Sequence, residues 1–456
     1  MPEDMLNTRS LCPQCLREIP AVKVREGNDV FLEKTCPQHG HFKTIIWRGD
    51  PSYGLWGMGE DAPGPQQNLT RNDKGCPHDC GLCTQHKART CTVLMEITNR
   101  CNLNCPVCFA SAEKTGLFEP DLDEIRAMLE AVIVSGGPYP LQISGGEPTV
   151  RDDLAAIISM AKKMGFPHVQ VNTNALRLAK EQDYLLELKD AGMDLVYMQF
   201  DGISDDVYRQ TRGADLVAVK EQALQNCTEA KIGVQLVPTL IPGINMHQVG
   251  AMVDYARQWV PAVKGVHFQP VSYFGRYPEA PGDAQRVTLP EVLRALEEQT
   301  AGEIKVENFL PRRRSDSHCG FSGFFILDED DTLVPTTFFQ PQKPSCSRCS
   351  DIQGRPDPSE HFRRFIQERS VYVEPSKEDT GAMNELDRFY QRSHSHYLSI
   401  SGMPFQDVWT LDLERLQGCC IHVISPVTRR LIPFCAYYLT SSSGQRLPGK
   451  GFLPGL

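Results

Sequence analysis

Between residues 92 and 275 the chain changes repeatedly between two patterns of apolar and polar residues. Short, mostly apolar segments rich in β-branched and aromatic residues predict buried strands, and these are TVLMEIT (92–98), LQISG (141–145), HVQVNTN (168–174), LVYMQFDG (195–202), IGVQLVPTL (232–240) and GVHFQPV (265–271). Between them, apolar residues recur every three or four positions, which predicts amphipathic helices at LDEIRAMLEAVI, RDDLAAIISMAKKM, EQDYLLELKDAG, DLVAVKEQALQNC and MHQVGAMVDYARQW. This alternation predicts an α/β fold, a partial (β/α)6 barrel of the TIM type.

Polar residues cluster where the predicted strands end, which is where a barrel of parallel strands binds its ligands. Three cysteines follow the first strand, and the second ends in SGGEP, that is Ser144, Gly145, Gly146, Glu147 and Pro148. Further polar residues lie in or after the later strands: Asn172, Thr173, Asn174, Gln199, Asp201, Thr239, His267 and Gln269. Each residue alone could cap the next helix. As a set at one end of the barrel they predict a binding site.

The three cysteines belong to the segment NRCNLNCPVCFA, in which Cys101, Cys105 and Cys108 are spaced C-x3-C-x2-C. They could be metal ligands, a redox pair with one spare thiol, or a chance cluster. Three thiolates on a four-iron cluster would leave one iron without a protein ligand, and an open position is how catalytic metal sites admit a substrate. The paired glycines of SGGEP let backbone groups approach a ligand closely, and no G-x-G-x-x-G dinucleotide motif is present there.

Charge and composition restrict the partners and the compartment. The net charge of the 456 residues is −10, which argues against nucleic acid as a partner. No apolar run approaches the roughly 18 residues that span a bilayer, and MPEDMLNTRSLCPQC does not resemble a signal peptide. We therefore expect a cytoplasmic protein, with attachment to a membrane surface left open. The 17 cysteines then indicate metal binding rather than disulfides.

The other cysteines form three groups, apart from Cys227 in a helical pattern. The first, with ligands typical of mononuclear zinc or rubredoxin-like iron, comprises Cys12, Cys15, Cys36 and His39; the alternative is a hairpin without metal. The second, which could close a four-thiolate iron–sulfur cluster, comprises Cys76, Cys80, Cys83 and Cys91, the last being the weakest member. A further metal site is expected among Cys319, Cys346, Cys349, Cys419, Cys420 and Cys435.

CNLNCPVC, SGGEP and the six-strand alternation resemble the radical S-adenosylmethionine enzymes over residues 92–275. The resemblance implies a [4Fe–4S] cluster on the three cysteines whose free iron chelates S-adenosylmethionine. Its methionyl amino group would be held by Gly145, Gly146 and Glu147, with further cofactor contacts expected from Ser144, Pro148, Asn172, Asn174, Gln199 and Asp201. A donor such as flavodoxin or ferredoxin would supply one electron. The 5′-deoxyadenosyl radical formed would abstract hydrogen from an unactivated C–H bond.

A narrower resemblance, to the tetraether lipid synthase branch, rests on LCPQC…TCPQHG, GCPHDCGLCTQHK, GVHFQPVSYFGR and CCIHV…LIPFCAYYLT. That branch includes proteins labelled pterin methyltransferases. It implies an auxiliary [4Fe–4S] cluster and carbon–carbon coupling of lipid alkyl chains, with a lipid or another small molecule as substrate. A radical methyltransferase or a peptide maturase is the alternative enzyme. An iron–sulfur carrier or scaffold without a substrate is the alternative of another class.

The apolar segment FSGFFILDED is more typical of a core than of an acyl tunnel, and PRRR (311–314) could meet a phosphate or simply be solvated. The predicted organisation is a metal module at residues 1–60, an auxiliary-cluster segment at 61–91, the barrel at 92–275 and an α+β extension at 276–456.

Overall fold

A computed structural model describes residues 6–57, 70–112, 118–312, 315–339, 370–375 and 384–447. Its amino-terminal module is a four-stranded antiparallel sheet in which consecutive strands pair, namely β1 (Leu6–Leu11), β2 (Glu18–Glu26), β3 (Asp29–Cys36) and β4 (Gly40–Trp47). A short helix, α1 (Tyr53–Trp56), follows. The turns β1–β2 and β3–β4 carry the predicted zinc or iron ligands, so an antiparallel meander brings both turns to the same end of the sheet.

The six predicted barrel strands are confirmed as one parallel set, β5 (Thr92–Glu96), β6 (Leu141–Ser144), β7 (Val169–Thr173), β8 (Leu195–Gln199), β9 (Gly233–Val237) and β11 (Val263–Pro270). They are neighbours in that order. The predicted strand IGVQLVPTL is divided into β9 and β10 (Thr239–Leu240) by Pro238, which has no N–H to donate to a sheet.

Helices pack around this sheet: α2 (Leu122–Val134), α3 (Leu154–Lys163), α4 (Leu176–Lys180), α5 (Gln182–Asp190), α6 (Asp205–Arg212), α7 (Val217–Glu229), α8 (Val249–Arg257) and α9 (Leu289–Gln299). The predicted helices are present. Helix α2 begins with a capping box in which Asp121 and Glu124 each accept the other's backbone N–H. The short helices α4 and α6 were not predicted, because five and eight residues give too little periodicity to recognise.

The carboxyl-terminal region extends the same sheet at both edges. Its strands are β12 (Leu310–Pro311), β13 (Phe321–Leu327), β14 (Leu333–Pro335), β15 (Tyr397–Gly402), β16 (Ile421–Ile424) and β17 (Leu431–Pro433), and its helices are α10 (Glu385–Ser395), α11 (Leu413–Gln417) and α12 (Phe434–Tyr437). Strand β15 is parallel to β11, and β16 is parallel to β5. Among the described residues the parallel run therefore has eight strands rather than the six predicted, with β13 antiparallel beside β15. The domain boundaries themselves stay predictions.

The amino-terminal sheet is attached to the carboxyl-terminal region through buried polar groups. The ammonium group of Lys34 donates to the Val408 carbonyl at 2.7 Å and to Ser10 at 2.9 Å. The Thr8 hydroxyl donates to Asp412 at 2.6 Å. Burial lowers the pKa of Lys34 to about 7. Paired buried groups of this kind fix one orientation of the module. In the part of the chain that the structure describes, no helix combines the length and apolarity needed to cross a bilayer.

Candidate functional site

A cavity of about 600 Å³ lies inside the curved sheet, within the range of small-molecule sites. The predicted ligands Cys101, Cys105 and Cys108 line it, on the loop that leaves β5. Gly145, Gly146 and Glu147, on the turn that leaves β6, also line it. The structure thus brings together the two motifs that carry the sequence prediction.

The two glycines are needed because the turn after β6 lies directly on the cysteine loop. The Gly146 N–H donates to the Thr98 carbonyl at 2.8 Å, and the Glu147 N–H donates to the Arg100 carbonyl at 2.8 Å. A Cβ on Gly145 would lie 2.2 Å from the Thr98 oxygen, and one on Gly146 would lie 2.2 Å from the Arg100 oxygen. No side chain fits at these distances, so only glycine allows this contact between backbones.

The carboxylate of Glu147 joins this turn to the end of β7. One oxygen accepts from the Thr149 and Thr173 hydroxyls, both at 2.6 Å, and from the Thr149 N–H at 3.1 Å. The other accepts from the Asn174 N–H at 2.7 Å. A carboxylate offers about four lone-pair positions. Three of these four donors share one oxygen, so the oxygen that accepts from Asn174 keeps one acceptor position beside the backbone carbonyls of the turn.

The neighbouring predicted residues support the same arrangement. Pro148 begins a 3-10 turn directly after Glu147, and the Ser144 hydroxyl accepts from the Asn172 amide at 3.3 Å. The Asn174 amide donates to the Asn102 side chain on the cysteine loop at 2.7 Å. Residues from the ends of β6 and β7 thereby hold the loop in place.

Sequence reasoning missed Arg212, a buried cation at the end of α6. Its guanidinium donates to both oxygens of Asp201, at 2.5 and 3.0 Å, and Nη1 lies 3.5 Å from the Cys105 sulfur. With the amide oxygen of Gln199 turned toward it, Gln199 accepts from Nη1 and Nη2 at 2.7 Å. Asp201 and Gln199 thus orient Arg212 toward the sulfur of Cys105. The segment DDVYRQTRG, with acids first and arginine before glycine, is the pattern that could have revealed this helix.

We expect Arg212→Gln to make an iron–sulfur cluster on this loop harder to reduce. Reduction adds negative charge, and the substitution removes a positive charge beside Cys105. The reduction potential should become more negative by about 60 mV or more, a tenfold change for one electron. Redox titration followed by electron paramagnetic resonance (EPR) measures it, with Arg209→Gln, on an exposed side chain of the same helix, as control. Equal potentials in the two variants would contradict this role.

The segment SYFGR (272–276) also contacts the cysteine loop. Cys108 and Arg276 exchange backbone hydrogen bonds of 2.9 and 3.0 Å. The Arg276 side chain donates to the Cys105 carbonyl at 3.1 Å. A Cβ on Gly275, whose φ is +58°, would lie 2.7 Å from the Cys108 oxygen. This part of the motif therefore fixes the loop.

The three thiols fit a multi-iron cluster better than a single ion. Ligands of one zinc ion lie close together, because each Zn–S bond is about 2.3 Å. Among the described residues, three or more metal-ligating groups have all their ligand atoms within 4.8 Å of one another in the amino-terminal module only. The cysteine loop does not form such a set. Burial raises the pKa of Cys101 to about 12 and also raises that of Cys108. Binding a cluster must therefore displace protons.

The amino-terminal set is Cys12, Cys15, Cys36 and His39, as predicted. The sulfurs of Cys12 and Cys36 each lie 3.4 Å from the His39 Nδ1, and the sulfurs of Cys15 and Cys36 are 4.0 Å apart. A hydrogen bond from the backbone of Gln38 lowers the pKa of Cys36 to about 6. Three thiols and an imidazole on two facing turns fit a structural zinc site.

The structure leaves the composition of the second cysteine group as a prediction. Cys76, Cys80 and Cys83 are buried, whereas the sulfur of Cys91 lies 2.8 Å from that of Cys420, in the carboxyl-terminal region. A closed cluster on Cys76, Cys80, Cys83 and Cys91 stays a prediction.

The predicted carboxyl-terminal metal site likewise stays a prediction. Cys319 accepts from Arg415 at 3.0 Å, Cys435 accepts from the Gln406 N–H at 3.2 Å, and Cys419 donates to the Ile421 carbonyl at 3.2 Å. Cys346 and Cys349 lie outside the described residues. Cys227 is a buried thiol of α7 whose pKa burial raises to about 12.

Away from the cysteine loop, polar uncharged side chains line the cavity. They come from the inward positions of six strands and comprise Gln142, Gln170, Asn172, Tyr197, Gln235, His267, Gln269, Ser399 and Ser401. Gln170 donates to Gln142 at 2.8 Å, and Gln269 donates to the Tyr197 hydroxyl at 3.4 Å. TIM-type barrels usually fill these positions with branched apolar side chains. A barrel interior lined with amides is instead suited to a polar ligand.

His267 and Tyr197 are uncharged near neutral pH. Burial, and then the charge of Arg312, lowers the pKa of His267 to about 3, and burial raises the pKa of Tyr197. The His267 Nδ1 lies 2.8 Å from the Ser401 hydroxyl. Aromatic side chains form another part of the wall, where Phe405 stacks on Phe434 with ring centroids 4.1 Å apart. The cavity therefore combines neutral hydrogen-bonding groups with flat apolar surface.

Two family models match the chain. That of the radical SAM superfamily matches residues 95–256, and that of the HMPTM N-terminal zinc ribbon domain matches residues 5–48. The first runs from the end of β5 through β6, β7, β8 and β9 to α8, and it includes the cysteine loop and the turn of Gly145, Gly146 and Glu147 (the GGE turn); β11 lies beyond it. The second spans the amino-terminal sheet with its three cysteines and histidine.

The chain is 37% identical to 7,8-dihydro-6-hydroxymethylpterin dimethyltransferase of Methanocaldococcus jannaschii, over 94% of this chain and 92% of that protein. It is 26% identical to a probable GTP 3′,8-cyclase of Methanothermobacter marburgensis, over 38% of this chain and 56% of that protein. Among solved structures, SuiB of Streptococcus suis bound to the precursor peptide SuiA superposes with a TM-score of 0.37 at 14% identity, over 47% of this chain and 46% of that one.

Proposed function

Because the chain belongs to the radical SAM superfamily, we propose that it is a radical S-adenosylmethionine methyltransferase whose substrate contains an uncharged, planar nitrogen heterocycle of the pterin class. The observation that carries this proposal is the lining of uncharged amides, Tyr197 and His267 inside the barrel. The M. jannaschii relative, similar over nearly its whole length, has a dihydropterin in its name. Pterins offer alternating donors and acceptors on their ring edges, which amide side chains can match in pairs.

Lipid coupling, which the sequence analysis favoured, fits this cavity less well. An alkyl chain beside Gln142, Gln170 and Gln235 would exclude water from their amides and would give no partner to the amide groups that the Gln170–Gln142 hydrogen bond leaves free. Each such group costs about 1–3 kcal/mol. A polar heterocycle satisfies the same groups. The alternative of a radical methyltransferase is therefore the better supported function.

We propose that Cys101, Cys105 and Cys108 hold a [4Fe–4S] cluster and that the carbonyls of the GGE turn accept from the methionyl amino group of S-adenosylmethionine. Bound in this way, the cluster and cosubstrate would supply a reductive cleavage that takes one electron from a donor such as flavodoxin or ferredoxin and gives methionine and a 5′-deoxyadenosyl radical. Arg212 offsets the negative charge of the thiolates from a position fixed by Asp201.

The substrate heterocycle would lie against the wall formed by Tyr197, His267 and Gln269. His267 uses Nδ1 for Ser401, so its Nε2 is the ring nitrogen left for the substrate. Since the pKa of His267 is lowered to about 3, it orients a neutral ring without adding charge.

Binding and product analysis test the proposal. Under anaerobic conditions the reconstituted protein should bind 7,8-dihydro-6-hydroxymethylpterin, measured by pterin fluorescence, and binding should weaken about tenfold or more in Gln269→Leu. Cells that produce the wild type should contain pterins heavier by one or two CH2 units, and cells that produce Cys105→Ala should not. Absence of pterin binding, together with new coupled alkyl chains in lipid extracts, would overturn the proposal in favour of lipid coupling.

A further inference from the structure

Arg312 lines the same cavity but belongs to neither cofactor motif. It follows β12, at one edge of the main sheet, and six strands separate β12 from β6, which carries the GGE turn. Its backbone N–H donates to the Gly320 carbonyl at 3.3 Å, which fixes the start of its side chain. Arg312 is therefore held in the cavity wall, where its charge acts on His267 and Tyr197.

The guanidinium of Arg312 has no hydrogen-bond or ion-pair partner among the described residues. The other cavity arginine, Arg212, is paired with Asp201. Glu147 is the one carboxylate among the described residues that line the cavity, and four protein donors already occupy it. A partly buried cation without a counter-charge has lost hydration, and no described side chain of the wall replaces it. Within the part of the chain that the structure describes, Arg312 therefore has no anion beside it.

We propose that Arg312 is an oxyanion-binding subsite that takes a phosphate or carboxylate group carried by the substrate. This inference rests on the proposed function for the identity of the heterocycle. The charge of Arg312 is close enough to His267 and Tyr197 to act on both side chains. A ring against those two side chains therefore brings its substituent toward Arg312. The planar guanidinium can bind an oxyanion through two parallel hydrogen bonds.

The experiment compares three ligands: 7,8-dihydro-6-hydroxymethylpterin, its monophosphate ester, and the corresponding 6-carboxy-dihydropterin. Binding to the anaerobic full-length protein is measured by pterin fluorescence, with S-adenosylmethionine present. The wild type should bind at least one anionic ligand about tenfold or more tightly than the neutral one. Arg312→Gln should reduce that ratio to about one while its affinity for the neutral pterin stays within about threefold. Arg312→Lys should keep part of the preference, and Arg209→Gln, on an exposed helix face, should keep all of it.

Several outcomes would overturn the subsite. One is equal affinity of the wild type for neutral and anionic ligands, and another is a preference that survives in Arg312→Gln. A third is that inorganic phosphate strengthens binding of the neutral pterin while the ester binds no better, which would assign the site to a free anion. If no pterin binds the wild type, the proposed function fails. Inorganic phosphate alone then decides the subsite: protein fluorescence that responds in the wild type but not in Arg312→Gln supports it, and equal responses overturn it.

Discussion

We expect Cys105→Ala to abolish the formation of 5′-deoxyadenosine from S-adenosylmethionine, lowering its rate at least about a thousandfold. Cys105 is the central thiol of the three, is buried, and is the one that Arg212 contacts. Two thiolates cannot hold a four-iron cluster with one defined open iron. The measurement is chromatography of the product after anaerobic reduction, alongside iron and sulfide content per chain.

Cys227→Ala is the matched control, because Cys227 is also a buried thiol but lies on α7, outside the cysteine motifs. Its iron content and product formation should equal those of the wild type, apart from a small loss of stability. If Cys105→Ala still cleaved S-adenosylmethionine, or if Cys227→Ala lost its iron equally, the three-cysteine loop would not be the radical-generating site.

The second large effect is expected from Gly146→Ala. Its new Cβ would meet the Arg100 carbonyl at 2.2 Å, so either the GGE turn or the cysteine loop must move. A displacement of about 1 Å between groups that hold reacting atoms can cost about a hundredfold in rate. We expect a loss of that size in S-adenosylmethionine cleavage and weaker binding of S-adenosylmethionine, measured by equilibrium dialysis.

Gly54→Ala serves as its control, since a Cβ there has no neighbour within 4 Å. That variant should match the wild type in binding and cleavage. Wild-type affinity for S-adenosylmethionine in Gly146→Ala would contradict the close backbone contact between the two motifs.

Much of the barrel was predictable because local periodicity determines it. Each of the six central strands is a short apolar run between amphipathic helices, and all six are present. Strands β15 and β16 were not predicted, because their places beside β11 and β5 depend on pairing between residues more than a hundred positions apart. No local pattern encodes such a pairing. The contact between Arg212 and Cys105 could not be predicted for the same reason. Asp201, the ion-pair partner of Arg212, is near it in sequence, but Cys105 is 107 positions away.

The sequence already indicates the polar lining of the cavity, because polar and apolar residues alternate within two of the barrel strands. Buried parallel strands usually read as continuous apolar runs, yet Gln170 and Asn172 alternate with valines in β7, and His267 and Gln269 alternate with apolar residues in β11. Read as inward positions, they favour a polar substrate over an alkyl chain. The role of Glu147 could not be predicted in the same way, because its four donors come from backbone and hydroxyl groups that only the fold assembles.

The most direct test of the account is the EPR spectrum of the dithionite-reduced, reconstituted protein before and after S-adenosylmethionine is added. Direct ligation to an iron that no side chain holds should shift the g-values of one cluster in the wild type and leave Cys105→Ala unchanged. A wild-type spectrum that S-adenosylmethionine does not alter, with the cluster intact, would show that this iron is not available and would contradict the account.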